Sequence, residues 1–259
     1  MVDKPNLEYL KKTAKALKKQ ADDGNVQALE RIIAVFTSPP DRLKLADCQH
    51  VIAHEQGYES WPKLKFSIEA RNMTRVERIQ QLIMALYYGR FHIIDRLLEM
   101  DATLGDAHFG IQVALYKKDA VFAALEQEPA LVSRLFGPRS AFLHLCYSRY
   151  CQHKPEKTED MLAIAKYMIE LGADVNDSYK WEDGSPLSAL YGALGHANNI
   201  KLAELLLENG ANPNDGESLY HATELGHLDG LKLLMQYGVD ASSDHHWIRI
   251  LDFDEYEGA

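Results

Sequence analysis

Residues 205–214 read LLLENGANPN. A run of leucines stops in Gly-Ala-Asn-Pro-Asn, and Gly210 suits the left-handed position that ends a helix, where a Cβ is penalised. The same ending recurs in IELGADVN, which closes at Asn176, in MQYGVDAS at Ser242, and in LLEMDATL at Leu104. Each is an apolar helical stripe, a terminator and a polar turn, so the chain is to be searched for a period.

The period appears on counting forward from the turn glycines Gly24, Gly89 and Gly226 to positions +4, +5, +8 and +9. These are Ala28, Leu29, Ile32 and Ile33, then Ile93, Ile94, Leu97 and Leu98, then Gly230, Leu231, Leu234 and Met235. After Gly195 the set comes three residues late, as Leu202, Ala203, Leu206 and Leu207, and this is assigned to an insertion over 195–202. Such spacing lies on one face of an α-helix. Before the turns, ALYYG, ALYKK and HATELG place Ala85, Ala114 and Ala222 where a second helix needs a small residue to pack closely. The unit is helix, turn, helix and an irregular stretch. Its terminators Gly172, Gly210 and Gly238 are spaced 38 and 28 apart, averaging 33.

With those turns in place the sequence resembles the ankyrin-repeat family. The resemblance rests on LHL at 143–145, GADVN at 172–176, DGSPL at 183–187, GANPN at 210–214 and GHLDGLKLLMQYGVD at 226–240. It covers 75–240 and is most specific over 139–240. Ser185 and Pro186 of DGSPL are expected to open a first helix, since proline in a first turn forfeits no hydrogen bond. Repeat 107–138 lacks the turn glycine, and repeat 139–178 carries the insertion CQHKPEKTED. The resemblance implies an all-α solenoid of stacked helix-turn-helix units over 75–259, about five repeats and a C-terminal cap.

Residues 1–72 are expected to form an N-terminal helical cap with a polar outer face. Leu7, Leu10, Ala14 and Leu17 make an amphipathic stripe, Asp41 is offered as a cap for a third helix, and Ser60 caps a last one starting near Pro62. QHVIAHEQGYESWPKLK resembles an element that precedes ankyrin arrays in some bacterial proteins.

Composition narrows the function. The chain has 259 residues, 46% hydrophobic and 25% charged, with three cysteines and a net charge of −10. That balance disfavours nucleic acid, and the cysteine number builds no disulfide framework. No window reaches the roughly 20 apolar residues of a membrane span, and the first residues show no leader core, so a cytoplasmic monomer is expected. Residues 1–20 carry six lysines against two acids, whereas LDFDEYEGA at 251–259 is acidic, both expected as solvated faces.

Chemistry is not indicated. His144, Cys146, Cys151 and His153 fall within HLCYSRYCQH, but on one helix they diverge into pairs about 160° apart, against the convergence zinc demands. His144 fills the histidine place of the family's L-H-L, where it satisfies a turn. His50 and His54 share a face, yet Glu55 follows the second histidine rather than standing between them, as a metalloprotease requires. Two adjacent histidines in DHHW at 244–247, with Asp252 and Asp254, read as a last finger and cap. Cys48 reads as core. No nucleophile elbow, Walker loop or dinucleotide fingerprint occurs, so no catalytic residue, metal or cofactor is expected.

The expectation is therefore a non-catalytic adaptor or regulator that binds a protein through the array's groove, as the resemblance implies. In that family, fingers and first helices line the groove. SYKWEDG supplies Tyr179 and Trp181, and first helices supply Tyr87, Tyr88, Tyr116, Tyr147, Tyr191 and Tyr220. Tyrosine and tryptophan suit interfaces because they bury much area with few rotatable bonds. Glu182, Asp183, Asp215, Glu217 and Glu224 border them and point to a partner with a basic patch. The alternative is an enzyme, small-molecule or metal binder with a deep pocket near His144, Cys146 and Trp181.

Overall fold

The computed structural model describes residues 6–40, 42–182 and 184–240. Asp41, Asp183 and residues 241–259, with DHHW, Asp252, Asp254 and the C-terminal cap, lie outside the described residues. Contacts divide the chain into two compact units. One holds the described residues to Gln81 together with Asp95–Met100; the other holds Leu82–Ile94 and the described residues from Asp101.

The first unit is built on helices Leu7–Asp22, Val26–Ile33, Leu45–Glu55 and Trp61–Asn72. Leu10, Ala14 and Leu17 of the expected stripe are buried against Ala28, Ile32, Cys48, Val51 and Ile52. The expected four-residue stripe of the second helix is halved, because Leu29 and Ile33 are exposed while Ala28 and Ile32 are core. Asn6 and Asn25 cap their helices by accepting from the backbone amides of Tyr9 and Ala28. The third helix begins at Leu45 with Lys44 in the cap place, three residues beyond Asp41, and Asp47 accepts from the Lys44 amide at 2.7 Å. Ser60 takes the cap position before Trp61, but its side chain makes no capping bond. Glu55 pairs with Arg31 through two bonds of 2.7 Å.

The second unit is a file of helix pairs. Phe109–Ala114 packs on Ala141–Cys146, that helix on Ala189–Tyr191, and that one in turn on Ser218–Glu224. The second helices follow the same succession through Lys118–Gln127, Thr158–Glu170, Ile200–Glu208 and Leu228–Gln236. One core cluster runs through all of them, from Tyr87 to Leu234. No single pair of short helices covers its own apolar face; stacking does. Gly172, Gly210 and Gly238 end the later second helices at φ of +94°, +91° and +78°. Each is followed by an amide that reaches back to Met168, Leu206 or Leu234 at 2.9–3.1 Å.

The turns corrected several expectations. Repeat 107–138 keeps its left-handed turn without a glycine, because Tyr116 adopts φ +55°. Counting from Tyr116, Val121 and Leu125 fall at +5 and +9, and both are fully buried. The turn lies two residues earlier than ALYKK suggested, so Gln112, not Ala114, receives the returning amide, from Lys117 at 3.0 Å. No insertion displaces the stripe after Gly195. The left-handed residue there is Asn198, at φ +47°, three residues on, and the four apolar positions sit at the usual offsets from it. The helix reaches Asn198 by widening into a π-turn over Gly192–His196.

Two linking stretches, expected to be irregular, are antiparallel hairpins: Leu135–Phe136 with Arg139–Ser140, and Ser178–Lys180 with Pro186–Ser188. Ser185 and Pro186 therefore do not open a helix. Pro186 is a strand residue, and Ser188 caps the helix by accepting from the Tyr191 amide at 2.9 Å.

Candidate partner-binding face

The second hairpin decides the face. Its register pairs Ser178 with Ser188, Tyr179 with Leu187 and Lys180 with Pro186, so alternate residues point to opposite sides. Tyr179 and Leu187 share the buried side, while Ser178 and Lys180 stand in solvent. The tip turns back through Trp181 and Ser185, joined by a backbone bond of 2.9 Å. Trp181 is left 41% exposed, its indole edge-on to the Tyr179 ring at 6.5 Å.

Beneath the finger lies a tyrosine stack that the sequence placed on the surface. Tyr87, Tyr116, Tyr147 and Tyr179 are buried. Tyr87 and Tyr147 lie parallel at 5.7 Å, Tyr179 stands edge-on to Tyr147 at 5.3 Å, and the Tyr87 and Tyr179 hydroxyls are bonded at 3.1 Å. The Tyr147 hydroxyl donates to the Ser188 carbonyl at 2.8 Å, and the Tyr116 hydroxyl to the Ser148 carbonyl at 3.1 Å. The cause is the missing Cβ at Gly192, which would stand 2.5 Å from the Tyr147 ring. Burial drives the Tyr147 and Tyr179 phenols well above their ordinary range, so both are neutral donors.

A recess of about 270 Å³ opens beside this stack, lined by Tyr87, Trp181, Ser185, Leu187, Tyr191, Glu217 and His221. Of the residues picked from sequence, the structure brings Tyr87, Trp181, Tyr191 and Glu217 into it. Tyr191 is half-buried, its ring 4.8 Å from His221, and burial with the neighbouring Tyr87 pushes its phenol up to about 12. Tyr220 and Glu224 reach the rim through His221, whose ring is 4.9 Å from Tyr220 and 3.1 Å from the Glu224 carboxylate. Glu217 holds the other side of that imidazole at 3.3 Å. Glu182 is exposed at the finger tip.

Asp215 behaves differently. One oxygen accepts from the hydroxyls of Ser188 and Ser218, and the other accepts from the Glu217 and Ser218 amides at 3.1 and 2.8 Å. It ties two repeats together and is not an open charge on the face. His221 escaped the sequence reading, although ESLYHATE spaces Glu217 four residues before it and Glu224 three after, which is ion-pair spacing on a helix.

Arg139 was also missed. It is 7% exposed, with its guanidinium carbon 4.5 Å from the Tyr87 ring centre, 5.8 Å from Tyr147 and 5.7 Å from Tyr179. Desolvated contacts of this kind contribute about 0.5–2 kcal/mol each.

The histidine–cysteine constellation does not converge. HLCYSRYCQH is two helices, Ala141–Cys146 and Tyr150–His153, broken at Tyr147–Arg149. His144 donates from Nε2 to the Phe136 carbonyl at 2.8 Å, satisfying the first hairpin, and burial lowers it to about 4. Cys146 is fully buried, with its thiol pushed up, and His153 stacks on Phe91 at 4.7 Å. His50 lies 5.4 Å from the Phe36 ring, and Cys48 is core. Among the described residues, no three histidines, cysteines or acids group as metal ligands, and no helix is long and apolar enough to cross a membrane.

A file of helix pairs joined by hairpin fingers, presenting one lined recess, defines a repeat-array protein. Residues 157–245 match the family model for ankyrin repeats, in three copies. Those residues carry ankyrin repeats, the described helix pairs stack as all-α repeat units, and such repeats are in general protein–protein interaction modules. No curated protein matches the chain.

Proposed function

We propose that this chain is a non-catalytic adaptor or regulator that captures a protein partner in the recess under the second finger. The observation that carries this is Trp181, a large side chain 41% exposed at the mouth of an aromatic recess of about 270 Å³. Such a ring ordered by Tyr179 beneath it loses little freedom on binding, which is what makes tryptophan an anchor. Trp181, Tyr191 and Tyr220 would make the contacts, with Glu182, Glu217 and Glu224 favouring a partner with a basic surface. Tyr147 and Tyr179 act from below by holding the finger, and Asp215 by holding the turn. The alternative, an enzyme or a small-molecule or metal binder with a pocket near His144, Cys146 and Trp181, is the less favoured reading, because His144 and Trp181 line separate cavities and the one at His144 has a volume of only about 10 Å³.

The test is affinity capture from the native cell with the wild type and with the Trp181→Ala, Tyr220→Ala double variant. The wild type is expected to retain a set of proteins that the variant loses by at least tenfold, at unchanged Tm, with retention weakening as salt rises. Equal retention by the two proteins would show that the face is wrongly chosen.

A further inference from the structure

A buried guanidinium normally sits against a carboxylate, because an unpaired charge taken out of water is costly. Arg139 has none. Among the described residues no carboxylate lies within ion-pair distance of it, and its Nε is buried with no hydrogen-bond partner. Asp177, the acid beside its strand, is engaged by the Ser140 hydroxyl at 2.5 Å. Three tyrosine rings face the charge, but their hydroxyls are committed to each other and to the Ser188 carbonyl. Ring faces attract a cation without neutralising it.

Arg139 also lines a cavity of about 10 Å³, together with Tyr87, Gly110, His144, Tyr147 and Ser148. No acid contributes to its wall. His144, in the same wall, is kept neutral by burial and by the Arg139 charge, against the opposing pull of its bond to Phe136, and neutral or protonated it offers no negative charge. The space admits one atom of about the size of a water oxygen. Gly110 packs closely in this wall, where a Cβ would stand 3.0 Å from the His144 ring.

We propose that this cavity is a monoanion site, in which Arg139 holds either a halide ion or one carboxylate oxygen delivered by a partner. The anion supplies the charge that the tyrosine cage lacks and satisfies Nε. The cavity shares Tyr87 with the recess under Trp181, but the wild type's response to salt tests the first and capture by the Trp181 variant tests the second, so the two proposals fail separately.

The test uses the full chain, with chloride and acetate as probes. Melting is followed at constant ionic strength as sodium gluconate, too large for the cavity, is replaced by sodium chloride or by sodium acetate. A saturable rise in Tm of about 3–6 °C at ten times Kd is expected with at least one of them. Chloride alone would identify a free halide, and acetate alone a carboxylate from a partner. Arg139→Met should abolish the rise. Should that variant not fold, the chloride NMR line width of the wild type decides by itself. Broadening that competes with acetate supports the site. Identical melting in all three salts with no excess broadening overturns the proposal and leaves only an ordered water beside Arg139.

Discussion

Replacing Gly192 by Ala probes the support of the face through one atom. The added Cβ would stand 2.5, 2.7 and 3.0 Å from three carbons of the Tyr147 ring, whereas carbons pack at about 3.5–4.0 Å. The ring has to retreat by about 1 Å, and every direction is blocked. Tyr147 is 1% exposed, stacks on Tyr87 at 5.7 Å, meets Tyr179 at 5.3 Å and is tethered by its hydroxyl to Ser188 at 2.8 Å. Overpacking of this kind costs about 1–3 kcal/mol, and loss of the tether adds about 1 kcal/mol. The gain of alanine over glycine within a helix offsets about 0.5–1 kcal/mol. The net loss is about 2 kcal/mol, or a fall in Tm of about 4–8 °C for a chain of this size. The decisive measurement is a double-mutant cycle by thermal melting with Tyr147→Leu, which removes the obstructing ring. Gly192→Ala should cost about 1–2 kcal/mol less in the Tyr147→Leu background than in the wild type. Strict additivity of the two changes, or a Gly192→Ala protein as stable as the wild type, would refute the claim that this glycine exists to admit the ring.

Asp215→Ala should lower Tm by about 4–12 °C, since a carboxylate bonded to two hydroxyls and two amides contributes about 2–3 kcal/mol. A melting curve unchanged by that substitution would mean the carboxylate is free for a partner after all. Acidification should destabilise the fold through His144 and His196, both lowered to about 4, chiefly by burial. Their unfolded value is near 6.5, so the unfolded chain binds protons first, and stability complete above pH 6.5 is lost as pH falls toward 4. Each histidine contributes on the order of 3 kcal/mol over the whole window, and His144→Gln should flatten the fall in Tm between pH 6.5 and 5; an unchanged slope would contradict the burial.

Where sequence and structure part, tertiary contacts overrode local preference. Gly89 and Gly226 announce their turns because glycine alone enters the left-handed region without cost. Tyr116 does so against a penalty of about 1–2 kcal/mol, which no sequence rule would assign to a tyrosine. The compensation is distant: a ring with no exposed surface and a hydroxyl bonded to Ser148, 32 residues away. Asn198 hid in the same way, because the π-turn before it shifts the left-handed residue three places beyond the expected glycine, Gly195. The architecture was legible nonetheless, since at least two stripe positions counted from each true turn are core, although Leu29, Ile33 and Met235 are exposed.

The site was legible only as chemistry. The sequence shows that tyrosines are plentiful around 87–220, but their depth depends on helix phase. Tyr191 is the third residue of its helix and looks onto the recess, whereas Tyr147 follows the last residue of its own helix and is drawn under the finger. Arg139 shows why composition cannot supply the rest. Its strand partner is Phe136, yet the three rings around its guanidinium come from Tyr87, Tyr147 and Tyr179. Only stacking joins them: helices before and after the first finger each deliver a ring, and the second finger closes the third side. A face assembled from successive repeats therefore responds as a unit. Removing Arg139 or Tyr147 should loosen Tyr179, and through it the indole of Trp181, before any atom of the recess itself has been changed.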